Sequence, residues 1–159
     1  MIPFTTTRVH VLEMLKTTGF AVLATENAGQ PHTSLIAVTP LDEGRTLVFA
    51  TYRNTRKFAN LMQNPRVSVL MSSRQNEAAT GAPSGLIVSA VGLAREINPV
   101  NLPLLLSEHL NKHPDLKSFV HEPDCALLEV VVEKYQVVRG IDDVTWWNVN
   151  DAGISVAGG

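Results

Sequence analysis

The sequence of 159 residues predicts a mainly β fold with short helices, built as an antiparallel barrel of six strands. Six strand-like segments are joined mostly by tight turns, and the helical segments between them are too few to be the regular crossovers of a parallel sheet. Several strands are also apolar at consecutive positions, as at residues 47–49, 86–88 and 130–132. A barrel strand that faces water should alternate between apolar and polar residues. We therefore expect both faces of these strands to be covered, partly by a second copy of the chain in an obligate dimer.

The strands are recognised by their β-branched and aliphatic residues and by the turn residues between them. They are predicted at residues 20–25, 33–39, 46–52, 67–71, 86–97 and 126–138. The first hairpin turns at the Asn-Ala-Gly sequence of residues 27–29, and Pro40 and the turn at 42–44 close the second strand. A long polar loop at 72–84 precedes the fifth strand. Gly92 interrupts that strand and predicts a bend or bulge.

Three helices are predicted, at residues 5–16, 55–63 and 98–110. The first has Val9, Leu12 and Leu15 at helical spacing. Asn54 is a favourable N-cap for the second helix. The third carries leucines at the same spacing and ends before Pro114.

Composition limits the organisation of the chain and the classes of function. Residues 1–140 are expected to form one domain, followed by a C-terminal tail at 141–159 that is poor in aliphatic residues. A net charge of −2 without a basic stripe argues against nucleic-acid binding. No apolar run reaches the length of a membrane span or a signal peptide. The single cysteine, Cys125, excludes an intrachain disulfide and fits a reducing compartment, so a cytoplasmic protein is predicted.

The turn between the third strand and the second helix is unusually basic. It contains Arg53, Arg56 and Lys57, and the last two fall with Thr55 in the first turn of the helix. The positive end of the helix dipole disfavours cations at this position. Free amides, a hydroxyl and clustered positive charge are together typical of a phosphate site. The alternative is a solvated basic turn.

Several stretches in a fixed order resemble the pyridoxamine 5′-phosphate oxidase-like family of FMN-binding split barrels. They are Pro-His-Thr-Ser at 31–34, Thr-Leu-Val-Phe-Ala-Thr at 46–51, Thr-Arg-Lys at 55–57, Asn-Pro-Arg-Val-Ser-Val-Leu at 64–70 and Ala-Val-Gly-Leu-Ala-Arg-Glu at 90–96. The resemblance covers roughly residues 5–138. It implies a six-stranded split barrel and a homodimer, with one FMN per subunit in a groove at the dimer interface.

The resemblance also implies which residues contact FMN. They are Thr55, Arg56 and Lys57 at the phosphate with Arg53 near them, Ala50 and Thr51 in strand three, Thr33, Ser34 and Leu35 in strand two, Arg74 and Asn76 in the long loop, and Trp146 near the C-terminus. The alternative role of Trp146, with Trp147, is to hold the tail against the partner subunit.

Two departures from the family pattern argue against oxidation of vitamin B6. The true oxidases carry an Arg and a Lys in strand two, where this chain has residues 33–37, and they use an Arg-x-His pair that is missing after Arg139. The function predicted is that of an FMN-dependent oxidoreductase that passes electrons to a small acceptor, since a flavin carries the redox chemistry itself. The alternative is a binding protein for a flavin, a deazaflavin or haem without turnover.

The remaining histidines and the cysteine are predicted to be structural or solvated. His109 and His113 lie one helical turn apart, which is metal-ligand spacing, but no third ligand accompanies them, so a solvated helix face is expected and no metal site. Cys125 opens an apolar strand and is expected to be a buried structural thiol. His32 and His121 are weak candidates for an axial haem ligand.

Overall fold

The computed structural model describes residues 4–73 and 85–150. The helices are α1 (Phe4–Thr17), α2 (Arg56–Gln63), α3 (Leu102–Lys112) and α4 (Lys117–Val120). The strands are β1 (Phe20–Asn27), β2 (Gln30–Ala37), β3 (Thr39–Leu41), β4 (Thr46–Tyr52), β5 (Arg66–Ser72), β6 (Ile87–Glu96), β7 (Cys125–Gly140) and β8 (Asp143–Asn148). Short 3₁₀ turns lie at Asp42–Gly44 and Pro114–Leu116.

All strand pairs among the described residues are antiparallel and belong to one curled sheet in the order β2-β1-β5-β6-β7-β4-β3, with β8 paired to β7. The predicted class, mainly β with short helices, is confirmed. The predicted number of six strands is wrong, because the described ranges contain eight. The second predicted strand is divided at Val38, whose N–H bonds to the Gly19 carbonyl oxygen at 3.1 Å, and the end of that strand becomes β3.

Strand β8 lies in the segment that the sequence analysis assigned to the tail. Its pairing with β7 aligns Trp147 with Tyr135, and the two rings stack with centroids 5.3 Å apart. Both residues are buried, and the Tyr135 hydroxyl donates to the Gly44 carbonyl oxygen at 2.6 Å. Aromatic residues provide the burial that aliphatic residues provide elsewhere in the sheet. A search for aliphatic runs therefore misses this strand.

Helix α1 packs on the sheet with a different face from the one predicted. Val11, Met14 and Leu15 are buried, whereas Val9 is about half exposed, at 49%. The three buried residues still follow helical spacing, so the helix was predicted correctly and its orientation was wrong by about one residue. No helix in the described ranges is long and apolar enough to cross a membrane.

The strands with consecutive apolar residues are covered in different ways. In β4, Phe49 belongs to the main core, while Val48 on the opposite face packs in a second cluster with Ile97 and Leu127 beneath α3. Helix α3 thus supplies the second cover that the sequence predicted for this strand.

Three apolar side chains form an exposed row on the outer face of strands β2, β1 and β5 of the single chain. The row consists of Leu35, Val22 and Leu70, which are direct cross-strand neighbours. Their exposed fractions are 64%, 36% and 44%. We call these three residues the apolar row.

Candidate functional site

The basic turn adopts a capped strand-to-helix corner. Thr55 has an extended backbone, and its hydroxyl oxygen accepts a hydrogen bond from the Phe58 N–H at 3.3 Å. The same hydroxyl donates to the Tyr52 carbonyl oxygen at 2.8 Å and lies 3.1 Å from the Thr51 hydroxyl. The predicted N-cap, Asn54, is therefore wrong by one residue. Asn54 lies in the preceding turn, where its N–H is 3.4 Å from an Asp124 carboxylate oxygen.

The three cations of this corner have different surroundings. Arg53 donates to a Glu96 carboxylate oxygen at 2.7 Å and lies over the Phe58 ring, so its charge is already compensated. Arg56 is exposed and has no ion pair with any residue in the described ranges. Lys57 is half-buried, likewise without an ion pair there, and burial lowers the pKa of its ammonium group. Lys57 is thus the cation of this corner whose charged form a bound anion would stabilise most.

A groove of about 270 Å³ opens beside this corner, between β4, the adjoining ends of β1 and β2, and the segment from α3 to α4. It is lined by Phe20, Leu35, Ile36, Ala37, Ala50, Thr51, Tyr52, Thr55, Lys57, His109, Leu116 and Phe119. Thr51, Thr55 and Lys57 line it at the corner. Tyr52 and Phe119 form an edge-to-face pair in the wall, with ring centroids 4.7 Å apart. The groove therefore combines a cationic end with an apolar and aromatic wall.

A larger cavity of about 630 Å³ lies between α1 and the turn at Asp42–Gly44. It contains the Arg8–Glu43 ion pair and none of the residues predicted to bind a cofactor. We take the smaller groove as the candidate site, because the capped corner and Lys57 converge there.

The structure brings five of the predicted cofactor residues together in the groove. They are Leu35, Ala50, Thr51, Thr55 and Lys57. Arg53 and Arg56 flank the corner, and Thr33 and Ser34 lie farther along β2. Arg74 and Asn76 lie outside the described residues. The Lys134 ammonium nitrogen lies 4.7 Å from the ring centroid of Trp146, whose strand β8 pairs with β7. Trp146 is not among the residues that line the groove within a single chain. The binding roles of all these residues stay predictions.

His109 belongs to the groove although the sequence analysis placed it on a solvated face. That prediction is wrong, since both His109 and His113 are buried, with exposed fractions of 0% and 8%. His109 Nδ1 lies 2.8 Å from the Thr39 hydroxyl, and His113 Nε2 lies 2.9 Å from the Val38 carbonyl oxygen. The available signal was spacing: Leu105 precedes His109 by four positions, which puts the histidine in the leucine stripe of α3.

Burial determines the charge state of several groups near the groove. It lowers the pKa of His109 to about 4, and the neighbouring His113 and Lys112 act in the same direction, so the ring is neutral at pH 7. Burial also lowers the pKa of Lys112 to about 8, and its ammonium group donates to the Leu15 and Thr18 carbonyl oxygens at 2.9 and 2.6 Å. Cys125 is partly buried, and burial raises the pKa of its thiol. A raised thiol pKa disfavours a nucleophilic thiolate.

The bulged sheet, the capped basic corner and the groove beside it agree with a family assignment from the sequence. The family model described as pyridoxamine 5′-phosphate oxidase matches residues 8–139. The chain belongs to this family. Among curated proteins, none matches the chain.

Solved structures share the fold of this pyridoxamine 5′-phosphate oxidase family member. A haem-binding protein from Mycobacterium smegmatis has a TM-score of 0.78 and 19% identity, and the match covers 93% of this chain and 59% of that chain. The General Stress Protein 26 from Bacillus anthracis has a TM-score of 0.67 and 19% identity, and the match covers 90% of this chain and 98% of that chain. An FAD-binding protein from Mesorhizobium loti has a TM-score of 0.63 and 17% identity, and the match covers 80% of this chain and 90% of that chain. At these identities the comparison shows a common fold alone.

Proposed function

We propose that this family member binds FMN in the groove and acts as an FMN-dependent oxidoreductase that passes electrons to a small acceptor. The observation that carries the proposal is that Thr55 and Lys57, at the start of α2, both line an apolar groove. The N–H groups of Arg56 and Lys57 lie in the first turn of α2, where a helix offers no internal acceptor. Two free amides and an ammonium group suit a phosphate dianion, while the Thr55 hydroxyl, which donates to the Tyr52 carbonyl oxygen, holds the corner in shape.

The remainder of the groove suits the planar ring. Ala50 and Ala37 leave room beside the strands, and Phe119 and Tyr52 provide an aromatic wall. FMN, when bound, supplies the electron and hydride transfer. The protein's own residues hold the phosphate, orient the ring and exclude water from it. A cytoplasmic location, which the single cysteine favours, is part of this proposal.

A binding protein without turnover is the second candidate, with a flavin, a deazaflavin or haem as its ligand. A buried histidine on the groove favours it, because His109 in the tautomer with its proton on Nδ1 would present Nε2 as an axial ligand of haem iron. The absorption spectrum of the purified protein separates these ligands, since a flavin, a deazaflavin and a haem Soret band absorb at different positions. A protein that stays colourless and binds no added FMN would contradict the leading proposal, and anaerobic reduction of the FMN complex by NAD(P)H would favour the enzyme.

Lys57→Ala should weaken FMN binding by about 1.5–3 kcal/mol, the range for a hydrogen bond to a charged group. Binding is measured by the quenching of flavin fluorescence. Riboflavin, which lacks the phosphate, should bind equally well to the wild-type protein and to the variant. Lys16→Ala is the matched control, because this lysine is exposed on α1 and does not line the groove. Equal losses for FMN and riboflavin would place the phosphate elsewhere.

The apolar row is the surface on which we propose that two copies of the chain meet. Its members are contiguous, and Leu35 also lines the groove, so a partner packed on the row would border the ligand site. The groove volume of about 270 Å³ lies below the usual range of roughly 300–1,000 Å³ for ligand pockets. A second subunit would supply the missing wall of the FMN site.

Leu70→Glu should therefore weaken dimerisation by about 2 kcal/mol or more, as expected for a charge placed in a desolvated interface. Light scattering during gel filtration, over a range of protein concentrations, measures this change. Leu104→Glu is the matched control, because Leu104 is 66% exposed on α3 and lies outside the row. If the wild-type protein is monomeric, or if both variants dimerise equally well, the apolar row is not the interface.

A further inference from the structure

His109 lines the groove and carries a buried polar atom that the described part of the chain leaves without a partner. The residue is fully buried and lines the groove, and Nδ1 is engaged by the Thr39 hydroxyl at 2.8 Å. Nε2 is buried and has no hydrogen-bond partner in the described part of the chain. A buried polar atom left unsatisfied destabilises the folded protein, so a partner at this position would be favourable.

The hydrogen-bond inventory of Thr39 indicates which nitrogen of His109 carries the proton. Thr39 is buried, and His109 Nδ1 is the acceptor that the described residues offer to its hydroxyl proton. We assign the hydroxyl as the donor to Nδ1, which makes Nδ1 the unprotonated nitrogen of a neutral ring. On this assignment the proton of the ring lies on Nε2, and the unpartnered atom is a hydrogen-bond donor.

The distance from the phosphate corner fits a ligand that spans both ends of the groove. Thr39 pairs with Val48 near the middle of β4, and the corner begins after Tyr52 at the end of that strand. Four strand residues at about 3.3 Å each separate the two positions by roughly 13 Å. His109 thus lies where the ring of a nucleotide-like ligand would be when its phosphate is at Lys57.

We propose that His109 is a ligand-binding residue whose Nε2–H donates a hydrogen bond to an acceptor atom, a carbonyl oxygen or ring nitrogen, on the isoalloxazine ring. This inference rests on the proposed function and adds the residue that orients the ring. A donor at an atom that gains electron density on reduction stabilises the reduced flavin. Removing the donor should therefore lower the reduction potential of the bound flavin as well as its affinity.

The test on the wild-type protein is ¹⁵N NMR of the histidine side chains with and without riboflavin. The free protein should show a neutral His109 with the proton on Nε2. Riboflavin should shift the Nε2 resonance and leave that of Nδ1, which stays with Thr39, nearly unchanged. Riboflavin that binds without moving Nε2, or a proton found on Nδ1, would overturn the inference while leaving the proposed function standing. If neither riboflavin nor FMN binds, the proposed function fails and the inference fails with it.

Two isosteric variants test the same contact by affinity. The amide nitrogen of glutamine can occupy the position of Nε2, and that of asparagine the position of Nδ1. His109→Gln should keep the affinity for riboflavin within about twofold, whereas His109→Asn should lose about three- to tenfold, the effect of one hydrogen bond. The reduction potential of bound FMN should fall in His109→Asn and stay close to the wild-type value in His109→Gln. Equal affinities and potentials in the two variants would contradict a contact through Nε2, and thermal unfolding without ligand controls for a change in stability.

Discussion

Gly92→Ala should destabilise the fold by about 3 kcal/mol or more, which is the largest effect expected of a single methyl group in this protein. A Cβ atom at Gly92 would overlap the Val131 carbonyl oxygen and lie 3.0 Å from Val132 Cα. These are backbone atoms of the neighbouring strand β7, so no side-chain rotation relieves the overlap. Urea unfolding followed by circular dichroism measures the loss as a fall in the midpoint.

Gly19→Ala is the matched control for this substitution. A Cβ atom at Gly19 would have no neighbour within 4 Å, and we expect its unfolding midpoint to stay close to that of the wild-type protein. Similar midpoints for the two variants would mean that β7 can move away at Gly92 at little cost.

The β-bulge at Gly92 also lies on the strand that leads to the candidate site. It shifts the register of β6 against β7 between Val91 and Gly92, five residues before the Glu96 that binds Arg53.

Lowering the pH should destabilise the protein through His109, by up to about 3 kcal/mol between pH 6.5 and pH 4. The pKa of this histidine is about 4 in the folded chain and about 6.5 in the unfolded chain. As the pH falls through this window, the unfolded chain takes up a proton that the folded chain does not, so unfolding becomes more favourable. Lys112, whose pKa is about 8, is already charged and, with His113, opposes a second positive charge.

The measurement is the free energy of unfolding at several pH values for the wild-type protein and His109→Gln. Glutamine does not titrate, so the variant should lose less stability between pH 6.5 and pH 4. His121→Gln is the control for the substitution itself, because His121 is exposed and does not line the groove. If the free energy of unfolding falls equally steeply with decreasing pH in the wild-type protein and in His109→Gln, protonation of His109 does not oppose folding.

Local signals predicted much of the scaffold and singled out five of the twelve residues that line the candidate groove. Runs of β-branched and aliphatic residues between turn residues located six strands, because both signals lie within a few positions of one another in the chain. The corner at Thr55 and Lys57 was predicted because capping residues and first-turn charges act within four positions. The N-cap was still wrong by one residue, since Asn54 and Thr55 are both good caps and it is the Thr55 hydroxyl that accepts the hydrogen bond from the Phe58 N–H.

Residues far apart in the chain account for what the sequence did not reveal. Arg53 was grouped with the phosphate ligands, but Glu96, 43 positions away, pairs with it. His109 was assigned to solvent, but Thr39, 70 positions away, fixes its ring against the groove.

The sequence alone determined the strand pattern, the family motifs and the basic corner, because their causes are local. Tertiary structure decided which cations of the corner stay without an ion pair in the described ranges, which histidines are buried and which apolar row is left exposed. Those properties depend on desolvation and on pairing between segments that meet only when the sheet curls, and no local pattern records them.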